Sequence, residues 1–224
     1  MSSSDVEERR DAVMRLGAMR QAAASRAVVP ALQDAAPIVR VTAAKAVLSI
    51  GNEESAGILL PLLNDKDEFV RRETVYALGL TRSRTATTAI SERLLNDKED
   101  GVRGAAAVAL GQIADDAAVI ALVGALAPEL SAPVNKKQKR EANVFVLRAA
   151  ATALGQIKSR SGTAALISTL NNEKLPSDVR REAARSLGLI GDPSAAPALK
   201  SAMTAADPFL SELAHAALKK INQQ

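Results

Sequence analysis

The sequence predicts an all-α protein built as an α-α superhelix, and three observations support this prediction. A unit of about 31 residues recurs along the 224-residue chain. Within each unit apolar residues recur at spacings of three and four, and no stretch shows the apolar-polar alternation typical of a β-strand. Helix pairs at this period bury their apolar faces only when they stack on their neighbours. We therefore expect a solenoid with an N-terminal helix at about residues 5–20 and about six helix pairs after it.

The repeat is anchored on the glycine, or its replacement, that ends each Ala-Leu-Gly motif or its equivalent. The anchors are spaced by 31, 31, 32, 44, 33 and 31 residues, and they are Gly17, Leu48, Gly79, Gly111, Gly155, Gly188 and Lys219. Ala-Leu-Gly-Gln-Ile at 109–113 returns at 153–157, which supports this register. The long fourth interval indicates an insertion at about 127–143, in the fourth full repeat of one solenoid domain spanning 1–224.

Start and stop signals define the helices along the chain. Pro30 and Pro61 fall within two early outer helices and predict kinks there. The clearest unit is 179–191, where one apolar stripe comprises Val179, Ala183, Ala184, Leu187 and Ile190. Gly191 then suits a left-handed C-cap. Asp192-Pro193 suits the start of the next helix, and Asp207-Pro208 repeats that signal for the last one.

Composition limits the classes of protein to consider. The chain is 47% hydrophobic and 24% charged, which is ordinary for a folded domain. It has three Phe, one Tyr and no Trp, so its core must be built from Ala, Leu, Val and Ile. The absence of cysteine excludes a disulfide framework and thiol catalysis. No apolar run is long enough for a membrane span, and the polar, acidic N-terminus differs from a signal peptide, so we expect a cytoplasmic protein.

The repeated motif Asp-x-x-x-Val-Arg-x-x-Ala-Ala-x-x-Leu-Gly-x-Ile resembles the HEAT repeat, in the subtype named after phycobilisome lyases. Val-Arg keeps its register at 39–40, 70–71, 102–103 and 179–180, and the resemblance covers nearly the whole chain. It implies that the Val-Arg helices line the concave face. It also implies an inter-repeat ladder of side chains, formed by Arg40, Arg71, Arg103 and Arg180 with Asp34, Asp65, Asp97 and Asp178. The resemblance implies a protein-binding scaffold far more often than it implies any particular enzymatic reaction.

The sequence contains no catalytic constellation, and we expect no cofactor. His215 is the only histidine, which excludes a multi-histidine metal site and the several His-Glu pairs that resemblance to the helical-repeat iron hydroxylases would require. No glycine-rich phosphate loop or nucleophile motif is present. We therefore favour a protein without enzymatic activity.

The candidate partner-binding surface consists of the concave positions that flank the Val-Arg and Ala-Ala residues. Its members are Phe69, Arg72, Glu73, Tyr76, Gln112, Phe145, Arg148, Gln156, Arg181, Glu182, Arg185 and Phe209. All four aromatic residues belong to it, and half-exposed aromatics are typical anchors of protein interfaces. The alternative, that they fill gaps between helices, remains open. Over all the free positions of the concave helices, seven basic side chains stand against eight acidic ones, and this near balance favours a polypeptide partner over nucleic acid.

The insertion adds a second candidate surface, a basic group formed by Lys136, Lys137, Lys139 and Arg140. Nothing breaks a helix from Val134 to Leu154, so the inner helix can begin early and project this group toward a partner. The alternative is a solvated charged loop.

The leading hypothesis is a non-catalytic scaffold that grips another protein or peptide in its concave face. One alternative is a bilin lyase-like protein that handles a tetrapyrrole, which only the name of the repeat subtype implies. Another is nucleic-acid binding through the basic insertion, which we consider unlikely for the groove. Because the first helix lacks an outer mate, a homodimer through that end of the solenoid is also possible.

Overall fold

The computed structural model describes residues 3–126 and 143–223. Thirteen α-helices account for most of these residues, and no β-strand occurs among them. The helices alternate along the chain between two layers. The prediction of an all-α solenoid with an N-terminal helix and six following pairs is confirmed.

The odd-numbered helices form the inner layer, and they are α1 (Val6–Ala18), α3 (Pro37–Ala46), α5 (Glu68–Thr81), α7 (Asp100–Ile113), α9 (Val144–Ile157), α11 (Ser177–Ile190) and α13 (Pro208–Ile221). The even-numbered helices form the outer layer, and they are α2 (Ala22–Ala27), α4 (Asn52–Leu59), α6 (Thr87–Asn96), α8 (Val119–Leu126), α10 (Thr163–Asn171) and α12 (Ala196–Ala202). Short 3-10 turns precede α6, α8, α10 and α12. The outer helices α4, α6, α8, α10 and α12 each pack mainly against the inner helix that follows, whereas α2 contacts α1 and the 3-10 turns on either side of α3.

Successive inner helices pack far more closely on one another than successive outer helices do. The anchor glycines permit this approach. A Cβ atom added at Gly155 would lie 2.9 Å from Ser186 Cα, and one at Gly188 would lie 2.7 Å from Ala217 Cα. Since a stack bends toward the layer whose members are closest, we infer that the inner layer lines the concave face.

The one internal anchor that is not glycine changes its helix. Leu48 replaces the glycine, and α3 ends at Ala46 and continues as a 3-10 turn over Val47–Ser49. The packing of α3 on α5 is less extensive than that of α5 on α7 or of α7 on α9. The larger side chain at this anchor is therefore accompanied by less extensive packing between α3 and α5.

The predicted helix ends agree with the structure at several points. Gly191 caps α11 with a φ of +72°, in the left-handed region that a glycine adopts without strain. The Asp192 carboxylate accepts a hydrogen bond of 3.0 Å from the Ser194 N–H at the start of the next turn. Pro30 and Pro61 lie in 3-10 turns, Val29–Gln33 and Leu60–Asn64, where the outer helices depart from α geometry.

Of the two alternatives for the insertion, a helix that runs without a break from Val134 to Leu154 is excluded at its junction with α9. Helix α9 begins at Val144, and the residue before it, Asn143, is extended. The Asn143 side chain caps the helix by accepting from the N–H groups of Phe145 and Val146. Asparagine is a preferred N-cap residue, so this start was a signal present in the sequence.

The core of the described residues is aliphatic. Its largest fully buried side chains are leucines and one isoleucine, Ile90, with alanines between them. No Phe or Tyr side chain belongs to this buried set. All the aromatic residues therefore lie outside the core, which makes their location informative about the surface.

Candidate interaction surface

A ladder of arginine-aspartate pairs ties the first inner helices together. In each pair the guanidinium Nε and Nη2 donate to a carboxylate 25 or 26 residues later, at 2.7 to 2.9 Å, and the pairs are Arg9–Asp34, Arg40–Asp65 and Arg71–Asp97. The remaining Nη1 donates to the carbonyl oxygen six residues before the arginine. The ladder is thus confirmed for Arg40 and Arg71. Arg9 was missed, although it lies eight residues before Gly17, as Arg71 does before Gly79.

The ladder carboxylates have depressed pKa values. Burial opposes ionisation of Asp97, but hydrogen bonds from Arg71 and from the Glu99 N–H outweigh it, so the pKa of Asp97 lies below its ordinary range. At Asp34 the hydrogen bond from Arg9 is the largest influence and lowers the pKa against a smaller effect of burial. These carboxylates are therefore charged in the folded state under all mild conditions.

We expect the stability contributed by the ladder to fall at acidic pH. A carboxyl group whose pKa is lowered by folding stabilises the fold above its unfolded pKa of about 3.9, and that contribution is lost as the pH falls through the folded-state value. Urea unfolding followed by circular dichroism at pH 7 and pH 3 checks this with wild type and Asp97→Asn. The stability difference between the two proteins should shrink at pH 3. An undiminished difference would contradict the assignment.

The ladder changes in the C-terminal repeats. Arg180, one of its predicted members, forms no ion pair with a carboxylate of the described residues, so the prediction is wrong for this arginine. Asp178 accepts from Arg148 of the preceding repeat at 3.3 Å. Arg180 Nε donates to the carbonyl oxygen of Leu170 at 2.9 Å. The inter-repeat pair is made one residue later, where Arg181 donates to both carboxylate oxygens of Asp207 at 2.7 and 2.8 Å.

The inner face, defined as the exposed side chains of the inner layer, carries the aromatic residues. The exposed fractions are 36% for Phe69, 39% for Phe145 and 63% for Phe209, whereas Tyr76 is half-buried. The guanidinium carbon of Arg72 lies 5.2 Å from the centroid of the Phe69 ring. Aromatic and arginine side chains thus lie side by side on this face.

The same arrangement recurs in the last two inner helices, where the guanidinium carbon of Arg181 lies 4.9 Å from the centroid of the Phe209 ring. Both distances are in the range of cation-π attraction. At exposed sites such a contact contributes about 0.5–1 kcal/mol. The inner face therefore presents two aromatic-arginine pairs.

Helix α7 brings two of these groups toward each other. Its inner face carries Gly101 and Gly104, one helical turn apart. The Arg72 side chain from α5 lies over Gly101, with Cδ 3.6 Å from the position of an added Cβ, and the Phe145 ring from α9 occupies the space of a Cβ at Gly104. The small residues of α7 therefore allow α5 and α9 to form one continuous aromatic-arginine surface across it.

The two glutamine candidates serve packing. The amide oxygen of Gln112 lies against Gly79, and that of Gln156 lies against Gly111, each where a Cβ atom would otherwise be. They cover the glycines at which adjacent inner helices approach. Both residues were predicted to be free surface positions. This prediction is wrong for Gln112, because its amide oxygen is buried.

The charged candidates are largely paired within the chain. Glu73 accepts from Lys45 at 2.9 Å and lies 3.6 Å from Arg72. Arg185 lies 3.7 Å from Glu182. Together with the pairs of Arg148 and Arg181, these contacts leave the inner face mixed in charge and largely neutralised. The basic group Lys136, Lys137, Lys139 and Arg140 lies outside the described residues.

A family model for HEAT repeats matches residues 1–79, 58–137 and 136–219. The chain belongs to the HEAT-repeat family. The resemblance drawn from the Val-Arg motif is therefore confirmed, and the inner layer corresponds to the Val-Arg helices of this HEAT protein. No curated protein matches the sequence.

Two solved structures share the fold. Human deoxyhypusine hydroxylase in complex with glycerol superposes with a TM-score of 0.53 and 20% identity, over 100% of this chain and 82% of that one. The complex of CpcE and CpcF of phycocyanin lyase from Nostoc sp. PCC7120 gives a TM-score of 0.53 and 23% identity, over 98% of this chain and 91% of that one. Identities this low relate the architectures alone.

In residues 3–126 and 143–223 no three or more His, Cys, Asp or Glu side chains are grouped so that they could hold a metal ion. No helix in the same part of the chain is both long enough and apolar enough to cross a membrane.

Proposed function

We propose that this HEAT-repeat chain is a non-catalytic scaffold that binds another polypeptide on its inner face. The observation that carries the proposal is the display of Phe69, Phe145 and Phe209 on that face, two of them beneath a guanidinium group. None of these three rings belongs to the buried aliphatic core, and all three lie on inner helices.

Aromatic and arginine side chains supply much of the binding energy at protein interfaces. On the inner face the proposed contact set is centred on Phe69, Arg72, Tyr76, Phe145 and Phe209. Around this centre, charged side chains and one exposed amide supply a polar rim, namely Glu73, Arg148, Gln156, Arg181, Glu182 and Arg185. Such a division into apolar centre and polar rim is that of a polypeptide interface.

The pairing of the charges argues for a polypeptide over nucleic acid. A phosphate backbone requires arginines and lysines that are free to neutralise it. Here Arg148 and Arg181 already bind aspartates of the next repeat, and Lys45 binds Glu73. The likeness to phycocyanin lyase concerns the fold, and no observation on this chain favours bilin chemistry.

Replacing Phe69 and Phe209 together by alanine is expected to weaken partner binding by at least about 30-fold, since a single hot-spot residue contributes about 2 kcal/mol or more. Both rings are exposed, so the fold should be retained. Partners are first identified by affinity purification from the native host with mass spectrometry. Titration calorimetry of the best partner then measures the change.

The matched control removes exposed apolar side chains from the outer layer. Ile120 and Leu95 are 84% and 47% exposed on α8 and α6. Their double replacement by alanine should leave partner binding unchanged. Equal losses in the two double variants would refute the inner face as the binding site.

A further inference from the structure

One arginine of the repeat pattern has lost the carboxylate that its equivalents bind. Arg9, Arg40 and Arg71 pair with an aspartate 25 or 26 residues later. From Arg180 those two positions are Ala205 and Ala206. A methyl group therefore stands where the earlier repeats supply a carboxylate.

The Arg180 guanidinium is half-buried and keeps unused donors. Its Nε donates to the Leu170 carbonyl oxygen at 2.9 Å. Across the two described segments of the chain, no carboxylate forms an ion pair with this side chain. A planar fork of N–H groups thus faces outward at the site where the ladder would continue.

The stack does not need Arg180 to make this connection. Arg181 ties α11 to α13 through its two-pronged contact with Asp207. The interhelical ion pair is therefore present already, one residue further along. Arg180 is therefore not needed for the interhelical ion pair, although it lines a cleft together with Arg181 and Asp207.

The space in front of Arg180 is an open cleft. It consists of two adjoining parts, of about 710 and 640 Å³, which are both lined by Arg180, Glu173, Ala205 and Ala206. The larger part has a mixed wall, in which Ile167, Leu170, Pro197 and Ala198 are apolar and Asn171, Ser194, Ser201 and Thr204 are polar. A volume of this size accommodates several residues of a ligand and not only one ionised group.

We propose that this cleft binds an acidic side chain of a polypeptide partner. The carboxylate takes the place on Arg180 that an aspartate takes in the first three repeats, with the same two-pronged geometry. The apolar part of the wall contacts the residues that flank this carboxylate in the partner. Glu173, which lines both parts of the cleft, repels a doubly charged phosphate, whereas the adjacent guanidinium still attracts a single carboxylate.

The availability of Arg180 is tested by restoring the missing group within the chain. Ala205→Asp is expected to raise the melting temperature by about 2–4 °C through a new pair with Arg180. The same substitution in an Arg180→Met background should give no such gain. A gain that is independent of Arg180, or no gain in the natural background, overturns the geometry on which the site rests.

Ligand binding is tested on the isotope-labelled full chain with short blocked peptides. The Arg180 Nε–H resonance is followed by NMR during titration with acetyl-Ala-Asp-Ala-amide, its Asn counterpart and sodium acetate. We expect saturable shifts with the Asp peptide, none with the Asn peptide, and affinity for acetate at least about tenfold weaker. Ala205→Asp should abolish the response, because the internal carboxylate occupies the site.

Each other outcome contradicts the proposal. Equal shifts with the Asn peptide show that no carboxylate is recognised. Equal affinity for acetate shows a site for free carboxylates and not for a polypeptide. Phe69 and its neighbour Arg72 line neither part of the cleft. The response of the Phe69→Ala variant to the Asp peptide should therefore be unchanged, so failure here and failure of inner-face binding are distinguishable.

Discussion

Replacing Arg71 by methionine is expected to lower the free energy of unfolding by about 3 kcal/mol. The side chains of Arg71 and Asp97 are only 7% and 2% exposed. Removal of the guanidinium leaves the Asp97 carboxylate buried without its strongest partner, and such a group costs more than the pair itself contributes. The Nη1 hydrogen bond to the Asp65 carbonyl oxygen is lost as well. Chemical denaturation followed by circular dichroism measures the change.

The matched control is Arg148→Met, which breaks an inter-repeat pair of the same kind on the surface. Arg148 and Asp178 are 48% and 39% exposed and lie 3.3 Å apart. Solvent screens both charges, so the expected loss is below about 1 kcal/mol. Similar losses for the two variants would contradict the view that burial gives the ladder its importance.

The sequence predicted the fold because the repeat converts local patterns into global structure. Once Gly17, Gly79 and Gly111 share a register, each helix predicts the place of its neighbour, and stacking follows from the apolar stripes. The stripe of α11 is buried at all five predicted positions. Errors arose where a repeat departs from the pattern, as at Asn143, whose side chain starts α9 later than the helix-forming composition alone indicates.

The ladder shows why side-chain partners were harder to predict than helices. The sequence assigned Arg180 to the ladder because its Val-Arg motif is in register with the others. In the structure each ladder arginine binds an aspartate 25 or 26 residues later, and from Arg180 these positions are Ala205 and Ala206. Counting forward by this distance from each arginine would have revealed the missing carboxylate.

The register of the repeat predicted which residues lie on the inner helices, whereas the pairing of their charges was seen only in the structure. The aromatic residues were assigned to this face, and their exposed fractions agree with that assignment. Whether a neighbouring charged side chain forms an ion pair depends on side-chain geometry between helices, and the repeat pattern of the sequence gives no information on that geometry. Thus Arg148 and Arg181, interpreted as free from the sequence, bind aspartates of the following repeat.

Replacing Gly155 by alanine is expected to destabilise the stack by about 1–3 kcal/mol, although alanine is the better helix former. An added Cβ would lie 2.7 Å from Ser186 Cβ and 2.9 Å from Ser186 Cα, so α11 must move away from α9. The movement also strains the buried hydrogen bond of 2.8 Å that the Ser186 hydroxyl donates to the Ala151 carbonyl oxygen. Urea unfolding measures the loss.

Gly57→Ala separates this steric effect from helix propensity, because the same substitution is made in the outer helix α4. An added Cβ at Gly57 meets no heavy atom within 4 Å, so the variant should gain about 0.5–1 kcal/mol. Opposite signs for the two substitutions are expected only if the inner helices are in backbone contact and the outer ones are not. A gain at both positions would mean that the inner layer has room to spare, and the closely packed concave layer on which the interaction surface depends would have to be abandoned.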